Sequence, residues 1–249
     1  MSRADSAADR ELIAHLSELR KRLLYVSVWF VAALGAGFGG APRLLAYVRD
    51  HLGGLRVQWS VFSLSDGLMV YMKCAFAIGM ALTLPFLLLQ LWLFAKPGLT
   101  AAEAKSALLY VPLSLFQFAL GVGFGYVVAL PMMIRFMVRL NQSIGAEEVY
   151  GIQHYVSFLT GFLLPMGLAF EMPLVMLFLT RIGLLEPGMM KQVRKYAYVG
   201  LAVVGSCISP PDFVSHLSVT VPLILLFEIS AFVSGRYYRR KAALAARPA

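Results

Sequence analysis

Gly67-Leu-Met-Val-Tyr-Met-Lys73-Cys-Ala-Phe-Ala-Ile-Gly-Met-Ala-Leu-Thr-Leu-Pro85-Phe-Leu-Leu-Leu-Gln90-Leu-Trp92-Leu-Phe94 reads as a helix that crosses a membrane. Its one charge is Lys73. About 20 apolar residues at 1.5 Å rise cover a bilayer core of about 30 Å. This run is longer, so tilt or a bend is expected, with Pro85 as a kink site.

Three other runs meet the same length requirement: 23–40, 106–131 and 155–180. The last holds Pro165 and Pro173, further kink sites. Two more runs, 196–208 and 213–234, flank the turn Ser209-Pro210-Pro211-Asp212. At 13 residues the first covers only about 20 Å. The pair is expected to thin the bilayer or to rest on a protein or water-filled surface.

The chain therefore reads as all-α, a polytopic membrane protein with six transmembrane helices, the last two short. Residues 1–22 form an amphipathic cytoplasmic N-terminus, 23–234 the membrane domain and 235–249 a basic cytoplasmic tail. Of 249 residues, 59% are hydrophobic and 14% charged, against about 25% charged in soluble domains. The net charge of +9 is topological. With the N-terminus inside, sixteen of the 22 Lys and Arg fall in inner segments. Only Arg43, Arg49, Arg56, Arg135 and Arg139 fall outside, and Lys73 lies within a span. That asymmetry predicts N-in and C-in and argues against nucleic acid as a partner. Cys74 and Cys207 sit in apolar runs without ligand spacing, so neither disulfide nor metal is expected. The polar N-terminus has no cleavage pattern of a signal peptide. In the outer loops 41–66 and 132–154, Leu44, Leu45 and Val48 recur at helical spacing and predict a short interfacial helix.

Polar residues in apolar surroundings carry the functional signal. Glu11, His15, Glu18 and Arg22 share one helical stripe, which alone is a solvated face with a weak Glu18–Arg22 pair. Glu171 lies deep in the fourth run, where an acid costs roughly 2.5–3.5 kcal/mol on insertion scales. It is expected to face a cavity, a partner, or an internal pair with Lys73 or a hydroxyl. Glu228 in the last run is expected to snorkel or pair with Arg236. Gly35/Gly39 and Gly121/Gly125 have GxxxG spacing, which more often means internal packing than a dimer seam. A Ser206–His216 dyad would suggest an intramembrane protease, but no oxyanion motif accompanies it. Lys73 with Glu171 would suit an ion pathway, although no internal repeat supports a transporter.

The motifs also resemble a known family. His15-Leu-Ser-Glu18-Leu-Arg20-Lys21-Arg22-Leu before the first span resembles the N-terminal signature of the TatC family, the multispanning subunit of the twin-arginine protein translocase. Gln90-Leu-Trp92-Leu-Phe94, Pro97-Gly-Leu with Glu103, Phe170-Glu171-Met-Pro173, Ser209-Pro210-Pro211-Asp212 and Phe227-Glu228 follow in register. Two departures stand out: Ala104 follows Glu103 where a basic residue is common, and His216 stands where some relatives carry Gln.

The resemblance implies a receptor in the bacterial cytoplasmic (inner) membrane for signal peptides with paired arginines. Glu18 and Glu103 would each take one arginine, since a guanidinium fork matches a carboxylate. Arg20, Gln90 and Phe94 would complete that site. Glu171 would mark an intramembrane polar site. Ser206, Ser209, Asp212 and His216 would receive the transmembrane helix of small single-span TatA- and TatB-type subunits. The resemblance further implies a homo-oligomer within the complex, export driven by the proton gradient, no catalytic residues and no cofactor.

Overall fold

The computed structural model describes residues 3–51, 59–95, 101–145, 149–185, 187–210 and 212–245. Eight α-helices carry nearly all of it: α1 Arg3–His51, α2 Asp66–Ala95, α3 Ala101–Phe124, α4 Leu130–Ser143, α5 Ile152–Phe170, α6 Met172–Arg181, α7 Pro187–Ile208 and α8 Phe213–Ala245. Among the described residues, five helical stretches are long and apolar enough to cross a membrane: Leu16–Arg49, Asp66–Phe94, Val111–Ser143, Ile152–Arg181 and Phe213–Arg240.

Proline chemistry explains the broken helices. Pro173 cannot donate a backbone N–H, so the fourth stretch breaks just before it. α5 stops at Phe170, Glu171 forms the turn, and α6 restarts at Met172. Leu174 and Val175 both donate to the Glu171 carbonyl at 3.0 Å, which restarts the ladder. Before Pro131 the third stretch widens into a π-helical turn, Gly125–Ala129, closed by Leu130 N–H donating to Gly125 O. Such a turn absorbs a proline without ending the helix. Pro85 and Pro165 lie inside continuous helices.

Three expectations need correction. Leu44, Leu45 and Val48 do not form a separate interfacial helix. α1 runs unbroken past Pro42 to His51, and Leu44 and Leu45 pack on Ala41, Val70, Cys74 and Val156. The 132–154 loop is helical to Ser143. The last two helices run past their apolar segments: α7 has 22 residues and α8 has 33. Of the two, among the described residues, only α8 holds a stretch long and apolar enough to cross a membrane, 28 residues from Phe213 to Arg240. Hydropathy stops at the first charges. Residues such as Met189, Gln192 and Arg194 before the apolar part of α7, and Arg236 to Arg240 after that of α8, are good helix formers that extend the backbone ladder. Pro187 begins α7, the position where proline costs no hydrogen bond.

The core sits where three elements meet. Leu130 and Met133 of α4, Phe162 and Met166 of α5, and Val219 and Leu223 of α8 are all fully or almost fully buried together. A second cluster joins α2 to α6 through Leu88, Trp92, Leu174 and Phe178, with the Trp92 and Phe178 rings edge to face at 4.8 Å. At the same end, the Arg181 guanidinium lies 5.6 Å from the Trp92 ring and 4.9 Å from that of Tyr237. These cation–π contacts tie α2, α6 and α8 together. Of the GxxxG pairs, Gly121 and Gly125 pack inward against Phe170, Leu163 and Met166 of α5. A Cβ added at Gly35 or Gly39 would meet nothing from another element within 4 Å among the described residues.

On the opposite side, a two-residue parallel pair joins Trp59–Ser60 (β1) to Tyr150–Gly151 (β2). Asp66 opens α2 by accepting from the Phe62 and Ser63 N–H groups at 2.9 and 3.0 Å.

Candidate functional site

Two polar constellations and one buried acid stand out against the apolar bundle. The first joins α1 to α2. Glu18 and Arg22 lie one helical turn apart on α1, the spacing at which side chains meet. Arg22 Nη2 donates to Glu18 Oε1 at 2.5 Å and Nε to the same oxygen at 3.2 Å. Its Nη1 reaches across to Gln90 Oε1 on α2 at 3.3 Å. A concavity of about 400 Å³ opens here, lined by Ser17, Glu18, Lys21, Arg22 and Tyr25. Phe94 lies one turn beyond Gln90 in the last turn of α2, half-buried. Arg20 points to the exposed side of α1. Glu103 falls in the first turn of α3, but its side chain lies outside the described residues, as do those of Glu11 and His15. The structure thus brings Glu18 and Gln90 together, and it adds Arg22 between them.

The second constellation lies at the turn between α7 and α8. Gly205 permits it: a Cβ there would collide with the Thr220 hydroxyl, so the two helices approach by backbone. Ser206 Oγ lies 3.3 Å from His216 Nδ1, and Thr220 Oγ1 lies 3.4 Å from His216 Nε2. Ser206 and Ser209 each donate to a carbonyl one turn back, Ala202 O at 3.0 Å and Gly205 O at 2.9 Å. Ser206 is exposed, His216 half-buried and Ser209 buried. The Ser206 proton is committed to a backbone carbonyl, which is not the geometry of an activated nucleophile. Asp212 is the N-cap of α8, its Oδ1 accepting from Ser215 N–H at 2.7 Å. An Asp before a run of helix formers is a capping signal visible in sequence, so Asp212 shapes the turn as a cap rather than standing free as a contact residue.

Glu171 is buried, 3% exposed, at the break between α5 and α6. Ser114 Oγ of α3 donates to its Oε1 at 3.0 Å. Its Oε2 and, one turn along α3, Gln117 Oε1 are enclosed without a hydrogen-bond partner among the described residues. Lys73 is engaged elsewhere, with the Ser157 hydroxyl. So the acid pairs with a hydroxyl and not with the lysine. Glu228 pairs with Arg194 of α7 at 2.8 Å, not with Arg236, and also accepts from the Tyr198 hydroxyl. Ser114 and Thr220 were missed in sequence. The available signal was generic: a hydroxyl in an apolar span tends to bond across helices.

The chain is similar to known proteins over most of its length. The family model described as "Sec-independent protein translocase protein (TatC)" matches residues 14–222. The chain is 42% identical over 229 residues to Sec-independent protein translocase protein TatCy of Bacillus subtilis, covering 92% of this chain and 90% of that one. It is 41% identical over 232 residues to TatC of Halalkalibacterium halodurans, covering 93% and 92%. Two solved structures, both of the twin arginine translocase receptor TatC and one of them in the detergent DDM, superpose with TM-scores of 0.77 and 0.79. Each is 30% identical and covers 88% of this chain, with 97% and 99% of the respective solved chains matched. The chain belongs to the TatC family: it is a multi-pass component of a bacterial protein translocase, and not an enzyme.

Proposed function

We propose that this chain is the core receptor subunit of the translocase, binding signal peptides that carry two adjacent arginines. The observation that carries the reading is the Glu18–Arg22–Gln90 network. In it Glu18 already holds a guanidinium, with an amide from a second helix sharing the same group. A peptide arginine would take the same contacts, with its partner arginine on Glu103. Phe94 offers an apolar contact to flanking residues, and Arg20 frames the entrance. Guanidinium pairing of this kind selects arginine over lysine, whose ammonium is a point charge without a fork.

The receptor is proposed to cross the cytoplasmic membrane six times, with both ends inside. The domain limits follow: 1–22 inside, 23–234 in the membrane and 235–249 inside. α7 supports this. It packs antiparallel along α8, Gly205 against Thr220 at one end and Arg194 against Glu228 further along. Its 22 residues reach about 33 Å at helical rise. α7 is not among the candidate spans by hydropathy, but a helix of that length packed along α8 is long enough to cross with it.

The α7–α8 turn, with Ser206 exposed, His216 half-buried and Ser209 buried, is proposed to receive the transmembrane helix of small single-span TatA- and TatB-type subunits. Asp212 holds the turn in shape. Polar groups on a lipid-facing helix surface are costly alone and bond readily to a partner helix. Export of folded substrates would then draw on the proton gradient.

Photocrosslinking tests the receptor reading. A peptide with paired arginines should label the wild-type protein in membranes, and its paired-lysine version should label it at least tenfold less. Glu18→Ala and Glu103→Ala should each weaken labelling. Equal labelling by both peptides, or wild-type labelling by both variants, would sink this assignment.

A further inference from the structure

We propose that Arg22 is a resident competitor for Glu18, an autoinhibitory contact that sets the threshold affinity of the peptide site. This inference rests on the receptor reading above. Arg22 makes with Glu18 and Gln90 the contacts that a peptide arginine would need: two N–H donations to the carboxylate and one to the amide. Both Arg22 donations to Glu18 end on Oε1, so a peptide arginine that pairs with both carboxylate oxygens and with Gln90 contends with Arg22 for Oε1 and for the amide oxygen. It reaches those atoms only in the fraction of molecules in which Arg22 has swung away. The pair suits that exchange. Glu18 and Arg22 side chains are 38% and 20% exposed, and a pair so open to solvent is weak enough to break. Room exists as well, because both residues line the 400 Å³ concavity beside them.

The consequence is quantitative. When only a fraction of the receptor is competent, apparent affinity falls by that fraction for every ligand of the site. Arg22 therefore lowers the affinity for arginine and lysine peptides by one common factor. The ratio between them belongs to Glu18 and the fork geometry, and the absolute threshold belongs to Arg22. Lys21 and Arg20 flank the site but do not share these bonds among the described contacts, so they do not compete in this way.

Binding of photoreactive paired-arginine and paired-lysine peptides to the full-length protein in membranes tests this. Arg22→Gln should tighten both peptides by the same factor, about threefold or more, and leave their ratio unchanged. Arg22→Lys keeps the charge but loses the fork to Gln90, and should tighten both by a smaller factor. In a Glu18→Ala background, Arg22→Gln should bring no gain, since no carboxylate is left to release. Weaker binding by Arg22→Gln would overturn the proposal and make Arg22 a support for the site. An Arg22→Lys protein that binds like wild type would overturn it too, reducing any gain in Arg22→Gln to relief of charge repulsion. That variant also keeps the test decisive if Arg22→Gln fails to fold. The two readings fail differently: Glu18→Ala binding like wild type removes the receptor site itself. If Glu18→Ala is weakened while neither Arg22 variant gains, the competitor role alone is lost.

Discussion

Ser114 on α3 donates its hydroxyl to Glu171 across 3.0 Å, at the point where the fourth membrane stretch breaks. The break and the bond are linked. Pro173 ends α5 early, which places Glu171 in a turn, and the turn presents its carboxyl to α3. One oxygen is then satisfied and the other enclosed without a partner among the described residues. A half-satisfied acid of this kind in a span is costly, and it is retained where a polar group is needed.

Glu171→Gln should keep most export activity, because its carbonyl still accepts from Ser114. Glu171→Leu leaves the Ser114 hydroxyl buried without that acceptor, at a cost of about 1–3 kcal/mol. It should impair export while leaving paired-arginine peptide binding mostly intact, since the Glu18 network lies on other helices. Export of a folded reporter and peptide crosslinking, measured in the same membranes, check both. Normal export by the Leu variant would make Glu171 a structural residue only.

Gly205 should tolerate no side chain. A Cβ there meets the Thr220 hydroxyl, and α7 and α8 cannot separate without breaking the His216 contacts on the same seam. Gly205→Val should cost about 1–3 kcal/mol by overpacking, lower thermal stability in detergent, and weaken crosslinks from position 206 to a small partner subunit. Gly200, where an added Cβ would meet nothing within 4 Å among the described residues, is the control: Gly200→Ala should leave both unchanged.

Much of this architecture was legible in the chain. The four long apolar runs, the break at Pro173 and the closeness of Ser206 to His216 follow from hydropathy, proline chemistry and a tight turn. Helix ends were not legible. α1, α4, α7 and α8 all extend through charged residues, because helix propensity does not stop where hydrophobicity does. Side-chain partners across helices were out of reach too. Nothing local to Glu171 names Ser114, and nothing local to Glu228 chooses Arg194 over Arg236. Both pairings depend on tertiary register. The GxxxG pairs show the same limit: identical spacing packs inward at Gly121 and Gly125 and meets open space at Gly35 and Gly39.

The crossing number follows from α7, and cysteine labelling can decide it. Leu184, Phe213 and Arg240 are all exposed and mark the turn between α6 and α7, the start of α8 and the far part of α8. If α7 crosses, Leu184 and Arg240 lie on the cytoplasmic side and Phe213 on the opposite side. If α7 does not cross, Leu184 and Phe213 share a side and Arg240 faces the other. With Cys74 and Cys207 replaced by alanine, Leu184→Cys, Phe213→Cys and Arg240→Cys should be tested one at a time. In intact cells, a membrane-impermeant thiol reagent should label only Phe213→Cys. Permeabilisation should then expose the other two. Labelling of Arg240→Cys in intact cells, or equal protection of Leu184→Cys and Phe213→Cys, would reduce α7 to a surface helix and the crossings to five.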